Sequence, residues 1–324
     1  MLKIGVVGVG GMGTVHLSNY AHMDSCKVVA ICDTTAAAEQ KSKELSVPLY
    51  KDITDMLQNE SMDVVDICTP TFLHKEHVIK ALHAKKHVIC EKPLALKYAD
   101  ALEMMDAAEE NGVRLFVGQV LQYSPEAKVL HSLVKSQEYG EVLDASFLRL
   151  SACPRWVKNG WLFNKELSGH LPFDLHIHDI DLIVSLFGPP QEFSFTSCGR
   201  QGIGYKEHYR FNYKYSDKSI MAEAAWYNAD IPFTTTWRVY FENAVVENNG
   251  KNVIAYQFDN PPRVFDTEEK ILIPTGINIP PTGMFYSELT DFINKIKSGG
   301  KGCERREEVL TVVKILEEIN KTDD

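Results

Sequence analysis

The chain has 324 residues, 44% hydrophobic and 24% charged, with a formal net charge of -10, the composition of a globular protein long enough for two domains. The acidic balance and scattered basic residues speak against nucleic acid or an anionic membrane as a partner, and no apolar run approaches the roughly 20 residues of a membrane span. Seven cysteines, an odd number without a C-x-x-C spacing, suit reduced, mostly buried thiols in a cytoplasmic protein.

In chain order, the apolar run around Ile4, Val6 and Val7 reads as a strand covered on both faces. It runs into Gly8-Val9-Gly10-Gly11-Met12-Gly13, which matches G-x-G-x-x-G, and Thr14 to Met23 reads as the following helix. In that setting Gly8 allows the tight turn, Gly10 lets a pyrophosphate approach the backbone, and Gly13 permits close packing of helix on strand. The helix N-terminus adjoining Gly11 and Met12 adds a partial positive charge for phosphates. A second strand, Lys27 to Asp33, ends in a carboxylate about 20 residues after Gly13, where a dinucleotide fold places its ribose-binding acid. Asp33 repels a 2′-phosphate, and Thr34 and Thr35 offer no cation to receive one, so NAD is favoured over NADP. Asp33 could also serve as a helix N-cap.

Helical and strand patterns then alternate. Helices are expected over 35–45, 52–57, 74–84 and 97–110, and strands at 49–50, 63–68, 87–90 and 114–120. Such alternation implies a doubly wound parallel sheet with ligand at the carboxyl ends of its strands. Asp33, Thr69, Glu91, Lys92 and Gln119 all fall at strand ends and converge on one crevice. Lys92, followed by Pro93, is placed to meet a reacting alcohol, although a lysine in isolation is more often a surface group.

A helix is expected over 124–137, and from Val142 the pattern changes to alternating strands at 142–150, 192–197, 208–215, 220–227, 234–242 and 253–259. They suit a second α/β domain with a large open, mostly antiparallel sheet. The expected division is therefore a Rossmann domain over 1–120 and a substrate-binding and oligomerisation domain over 121–324. Helices over 285–297 and 305–320 close the chain. Within the second domain Pro172 opens a helical stripe of Phe173, Ile177, Ile180, Val184 and Phe187, ended by Gly188-Pro189-Pro190. Asp174 and His178, four apart, share a face, and a carboxylate can orient an imidazole for acid/base work. His176, His178 and Asp179 do not make a convincing metal set, because helical geometry turns His176 roughly 200° from Asp174; no metal is expected. His176 is assigned to the domain interface rather than to ligand. Trp161 either walls the pocket or simply packs.

With Gly8 to Gly13, Cys90-Glu91-Lys92-Pro93-Leu94-Ala95 and Asp174-Leu175-His176-Ile177-His178-Asp179 in that order, the chain resembles the Gfo/Idh/MocA oxidoreductases over nearly its whole length. Thr69, Pro70 and His74 after the third main strand, and Tyr286 with Glu288, belong to the same resemblance. It implies a Rossmann domain followed by an open-sheet α/β domain, and an NAD-dependent dehydrogenase of a sugar, inositol or related polyol. It further implies a homodimer or homotetramer formed through the sheet face. Residue by residue, it makes His178 the general acid/base, Lys92 the hydrogen-bond donor to the reacting oxygen, and Asp174 the ligand of a neighbouring hydroxyl. It places Thr69, Pro70 and His74 at the cofactor.

Two departures are present. His176 stands where relatives often have glycine, adding bulk and a potential charge near the pocket. Gln122-Tyr123 stands where many place an arginine, favouring a neutral polyol or sugar. The competing functions are an NAD-dependent glycoside hydrolase of related fold and a non-enzymatic cofactor or sugar sensor.

Overall fold

A computed structural model describes residues 1–323, apart from the side chains of Lys158 and Asn159. The chain opens with β1 (Leu2–Val7), α1 (Gly11–Tyr20), β2 (Cys26–Cys32), α2 (Ala37–Leu45), β3 (Leu49–Tyr50) and α3 (Ile53–Asn59). It continues with β4 (Val64–Ile67), α4 (His74–His83), β5 (His87–Glu91), α5 (Tyr98–Glu110) and β6 (Arg114–Gly118). Every pairing among these strands is parallel. β1 and β4 are each buried along most or all of their length, as strands covered by helices on both faces must be. Local signals fix the helix ends: the Asp52 carboxylate accepts the Thr54 N–H at 2.6 Å, an N-cap.

The following part runs through α6 (Pro125–Ser136), β7 (Val142–Ala152), the short α7 (Lys165–Ser168), a π-helical segment at Pro172–His176, and α8 (Ile177–Phe187). It then forms β8 (Glu192–Cys198), β9 (His208–Lys214), β10 (Ser219–Tyr227), β11 (Thr234–Phe241), β12 (Ala244–Asn248), β13 (Val253–Tyr256) and β14 (Arg263–Phe265). Among the described residues these strands and β7 form an eight-stranded sheet, order β14-β13-β12-β11-β7-β10-β9-β8. It is antiparallel except for the β7–β10 pair. Period-two alternation places Tyr209, Phe211 and Tyr213 of β9 on the buried face and Arg210, Asn212 and Lys214 on the exposed one, as a sheet covered on one side requires. β12 and β14 go beyond the expected strands. β12 is reached from β11 through the tight Glu242-Asn243 connection, so one apolar stretch holds two strands.

The chain then returns to its first sheet. α9 (Met284–Lys297) follows, and β15 (Gly302–Cys303) pairs in parallel with β6. Phe116 of β6 stacks on Phe292 of α9 at 4.6 Å between ring centroids. α10 (Arg306–Thr322) ends the described chain. The compact units are therefore residues 1–123 with 269–313, and 124–268 with 314–324. This differs from a division into 1–120 and 121–324, because the apolar faces of α9 and the start of α10 are buried against the parallel sheet. Of the seven cysteines, all free, Cys26, Cys32 and Cys90 are buried, Cys198 is exposed and the others are half-buried, fewer buried than expected.

In the second unit α8 is fastened to the sheet by an ion pair. Arg149 of β7 donates from Nε and Nη2 to both oxygens of Asp179 at 2.9–3.1 Å, with both side chains under 10% exposed. Losing one member strands a buried charge, so Asp179→Ala should destabilise the protein by about 3–5 kcal/mol, whereas the double change Arg149→Met with Asp179→Leu should regain most of that loss. Urea unfolding checks both; equal losses in the single and double variants would contradict this account.

Candidate active site

The glycine loop is shaped by contact. A Cβ on Gly13 would lie 1.9 Å from the Gly8 carbonyl oxygen, and one on Gly8, at φ +85°, would meet the Cys68 backbone at 2.8 Å. Gly10, by contrast, is exposed and a Cβ there would meet nothing within 4 Å. Gly13 and Gly8 thus let α1 sit close to β1 and β4, while Gly10 leaves open space beside the helix start. α1 has no side-chain cap and no acidic residue in its first turn, so its N-terminal dipole is left to an external anion. Met12 packs with Val15, Ile277, Ile279 and Phe285, and Gly11 lies against Ile277.

Asp33, just past β2, accepts the Val9 N–H through Oδ2 at 2.8 Å and the Thr35 N–H through Oδ1 at 2.7 Å. It therefore braces the glycine loop, and each oxygen keeps lone-pair capacity for a hydroxyl donor. Gln119, just past β6, is buried, and its Oε1 has no hydrogen-bond partner among the described residues; such an orphaned acceptor suits a bound group that donates a hydrogen bond. The open space at Gly10, the uncapped helix, Asp33 and Gln119 together fit a dinucleotide.

Thr69 and Pro70 are half-buried in the turn after β4. His74, expected at the cofactor, is 1% exposed, and its Nδ1 and Nε2 lie 2.8 Å from the carbonyl oxygens of Pro93 and Thr69. It is a brace between the loops that follow β4 and β5, with neither ring nitrogen left for a ligand. Burial pushes its pKa down. Glu91 is also turned inward. It is 5% exposed, with Oε1 3.1 Å from His16 Nε2 and Oε2 accepting the Lys92 N–H at 3.1 Å. Lys92 itself is half-buried at the end of β5.

His16 was unremarkable in the sequence, yet it is fully buried, with Nδ1 2.8 Å from Asp66 Oδ2. The Tyr20 hydroxyl donates to the same Asp66 oxygen at 2.8 Å. Burial opposes a charge on His16, but the Asp66 carboxylate outweighs it and holds the imidazole well above the usual histidine value. Cys68 Sγ, 3.4 Å from Nδ1, completes a trio with acceptor atoms close together; direct hydrogen bonds already occupy the space between them. The signal available in the sequence was Asp66, a carboxylate inside the otherwise apolar Val64–Ile67 strand.

In the second unit, Asp174 lies in the π-helical segment and His178 in the first turn of α8. From Ser168 to Val184 every described residue is buried except these two, which are half-buried. A π-helical turn inside a helix often marks a functional position. His176 turns the other way, into the core. Its ring stacks on Phe211 at 3.8 Å, and Nε2 lies 2.6 Å from the Tyr213 hydroxyl. Burial first and the Arg149 charge second push its pKa down to about 3. The expectation of added bulk and charge near a pocket is therefore corrected: His176 is a neutral core residue. It and Asp179 are committed elsewhere, which removes the metal set considered above. Tyr123 donates to Asp291 of α9 at 2.6 Å. Trp161 is half-buried in a 3-10 segment.

A parallel nucleotide-type sheet, a glycine loop shaped for phosphate and strand-end polar residues define a dinucleotide-binding protein. Comparison makes this specific. Residues 2–119 match the oxidoreductase family with an NAD-binding Rossmann fold, and residues 128–247 match the GFO/IDH/MocA C-terminal domain. The chain belongs to the GFO/IDH/MocA oxidoreductase family. It is 34% identical over 190 residues to 2,7-anhydro-N-acetylneuraminate hydratase of Escherichia coli, covering 58% of this chain and 50% of that protein. It is 33% identical over 197 residues to myo-inositol 2-dehydrogenase of Thermotoga maritima, covering 60% and 58% respectively. The chain spans about half the length of the curated relatives it matches. A levoglucosan dehydrogenase solved with NADH shares the fold, with a TM-score of 0.83, 20% identity and coverage of 99% of this chain and 96% of that one. Among the described residues no helix is long and apolar enough to cross a membrane.

The folded state holds His176 neutral well below the pH at which an unfolded histidine, near 6.5, takes a proton. The unfolded chain then binds the extra proton, so this group costs stability progressively as pH falls from about 6.5 towards 3. His176→Phe should flatten that acid limb relative to wild type, as read from urea unfolding at pH 4.5 and 7.5. An unchanged difference between the two pH values would show that His176 does not set it.

Proposed function

We propose that this protein is an NAD-dependent dehydrogenase that oxidises a secondary hydroxyl of a neutral sugar, inositol or related polyol. The observation that carries the reading is the opening of a buried helix at Asp174 and His178 alone, in a family chain that also holds Lys92 at the end of β5. Bound NAD supplies the hydride acceptor. The chain's own work is on the proton and the oxygen. His178 removes the hydroxyl proton as the carbon loses its hydride. Lys92, as an ammonium, hydrogen-bonds the reacting oxygen, and Asp174 accepts from a neighbouring hydroxyl. A placed base contributes roughly 10²–10⁴-fold.

Asp33 favours NAD over NADP, since a carboxylate repels a 2′-phosphate. The commitment of Tyr123 to Asp291, in a stretch without arginine, supports a substrate lacking carboxylate or phosphate. A second reading is favoured by the hydratases among the relatives. In that reading the cofactor is reduced and reoxidised in one cycle, because a carbonyl made by oxidation acidifies its neighbouring C–H and permits elimination or addition. A glycoside hydrolase works by the same logic; a sensor needs none of it. The protein is further proposed to self-associate as a dimer or tetramer through the exposed sheet face, where Met221, Tyr240 and Tyr256 are 36–48% exposed.

NADH formation from NAD is measured against inositols, aldoses, N-acetylated amino sugars and their glycosides. Lys92→Ala and His178→Ala should each lower turnover by roughly 10²–10⁴-fold with NADH binding retained. Loss of NADH binding in both folded variants would contradict these roles. Conversion of a substrate without net NADH would select the redox-neutral reading. Asp33→Ala should weaken NAD and narrow its advantage over NADP; an unchanged preference would remove Asp33 from the ribose site. Light scattering should show a dimer or larger, with Tyr240→Glu shifting it to monomer; a wild-type monomer would overturn the association.

A further inference from the structure

We propose that His16 is a positioning residue for Lys92: its ring holds one oxygen of the buried Glu91 carboxylate while the other oxygen receives the Lys92 backbone N–H. The stem from which the lysine reaches a substrate oxygen is thereby fixed from below. The inference rests on the role given to Lys92 above, and it concerns a residue without direct access to substrate.

The geometry is a chain of hydrogen bonds across three elements. Tyr20 and His16 of α1 meet Asp66 of β4, and His16 then meets Glu91 at the end of β5. Glu91 closes the chain on Lys92 N at 3.1 Å. With a carboxylate at each ring nitrogen, His16 donates in both directions, which only the protonated ring can do. The register supports a built site. Glu91 pairs with Gly118 across β5 and β6, and a Cβ on Gly118 would come within 3.0 Å of Glu91 Oε1, so that glycine leaves room for the carboxylate. A carboxylate this buried cannot lose a donor without protonating or swinging towards water. The swing releases the Lys92 N–H, and protonation weakens its hydrogen bond by removing the charge that assists it. The helix that begins at the glycine loop is thus wired to the residue that would handle the substrate oxygen.

The test reads Lys92 directly and needs no substrate. Lysines are reductively methylated with ¹³C, and the Lys92 resonance is assigned by its disappearance in Lys92→Arg. His16→Leu removes both donors; His16→Gln keeps one able to reach Glu91. The expected result is a shifted and broadened Lys92 resonance in His16→Leu, largely restored in His16→Gln. On any polyol the wild type oxidises, kcat should fall by about 10²-fold in His16→Leu, the scale of an ångström-sized misplacement, with KM for NAD unchanged. Should His16→Leu fail to fold, His16→Asn, whose shorter amide cannot span the two carboxylates, replaces it. A loss of melting temperature with an unmoved Lys92 resonance would make His16 a structural bolt and overturn the inference. A resonance that answers to His16 in an enzyme inactive on every sugar would instead leave this inference standing and count against the dehydrogenase reading.

Discussion

Between Gly13 and the carbonyl oxygen of Gly8 there is no room for a side chain: a Cβ would sit 1.9 Å from that oxygen. Much of the first unit follows from this closeness. α1 lies on the parallel sheet at a distance only glycine permits, so its N-terminal dipole is delivered to the strand ends. The same closeness brings His16, one turn further on, within hydrogen-bond reach of Asp66 and Glu91 in two neighbouring strands. A larger residue at position 13 would lift the helix and break phosphate geometry and buried network together.

Each unit spends a buried ion pair beside a candidate functional residue. In the first, His16 and its carboxylates stand directly behind Lys92; in the second, Arg149 grips Asp179, the neighbour of His178. Such pairs are poor sources of net stability, because desolvation offsets most of their attraction. Hydrophobic replacements would hold the elements together as well. What ionic pairs add is direction: a bidentate guanidinium fixes helix rotation as well as helix distance. The rotation of α8 and of the π-helical segment that leads straight into it decides whether Asp174 and His178 open from the core and His176 turns into it.

The sequence was most informative where structure is local. Glycine spacing, the strand-end position of Lys92 and the four-residue interval between Asp174 and His178 each depend on a few neighbouring residues, and strand and helix periods carried the fold class. Choice of partner was not legible. Nothing near His16 announces Asp66 or Glu91, 50 and 75 residues away, and nothing near His176 announces Phe211 and Tyr213. His74 shows the same limit: nothing near it in the sequence announces that its ring will lie between the main-chain carbonyls of Pro93 and Thr69. The return of α9 and β15 to the parallel sheet was hidden because helical periodicity says which face is apolar and not which sheet will cover it.

Burial separates three of the histidines by what they can do with a proton. His16 is buried between carboxylates and holds its proton well above the usual range; His176 is buried against aromatic rings and the Arg149 charge and stays neutral down to about pH 3. Neither reaches water or a substrate, since one is closed in by two carboxylates and the other by aromatic rings. An acid/base group must reach both substrate and water and change state near the working pH. His178 is half-buried beside the similarly placed Asp174, so it meets the requirement of access that the other two fail. The fully buried histidines belong to the packed frame, and His178 is the one of the three that opens from it.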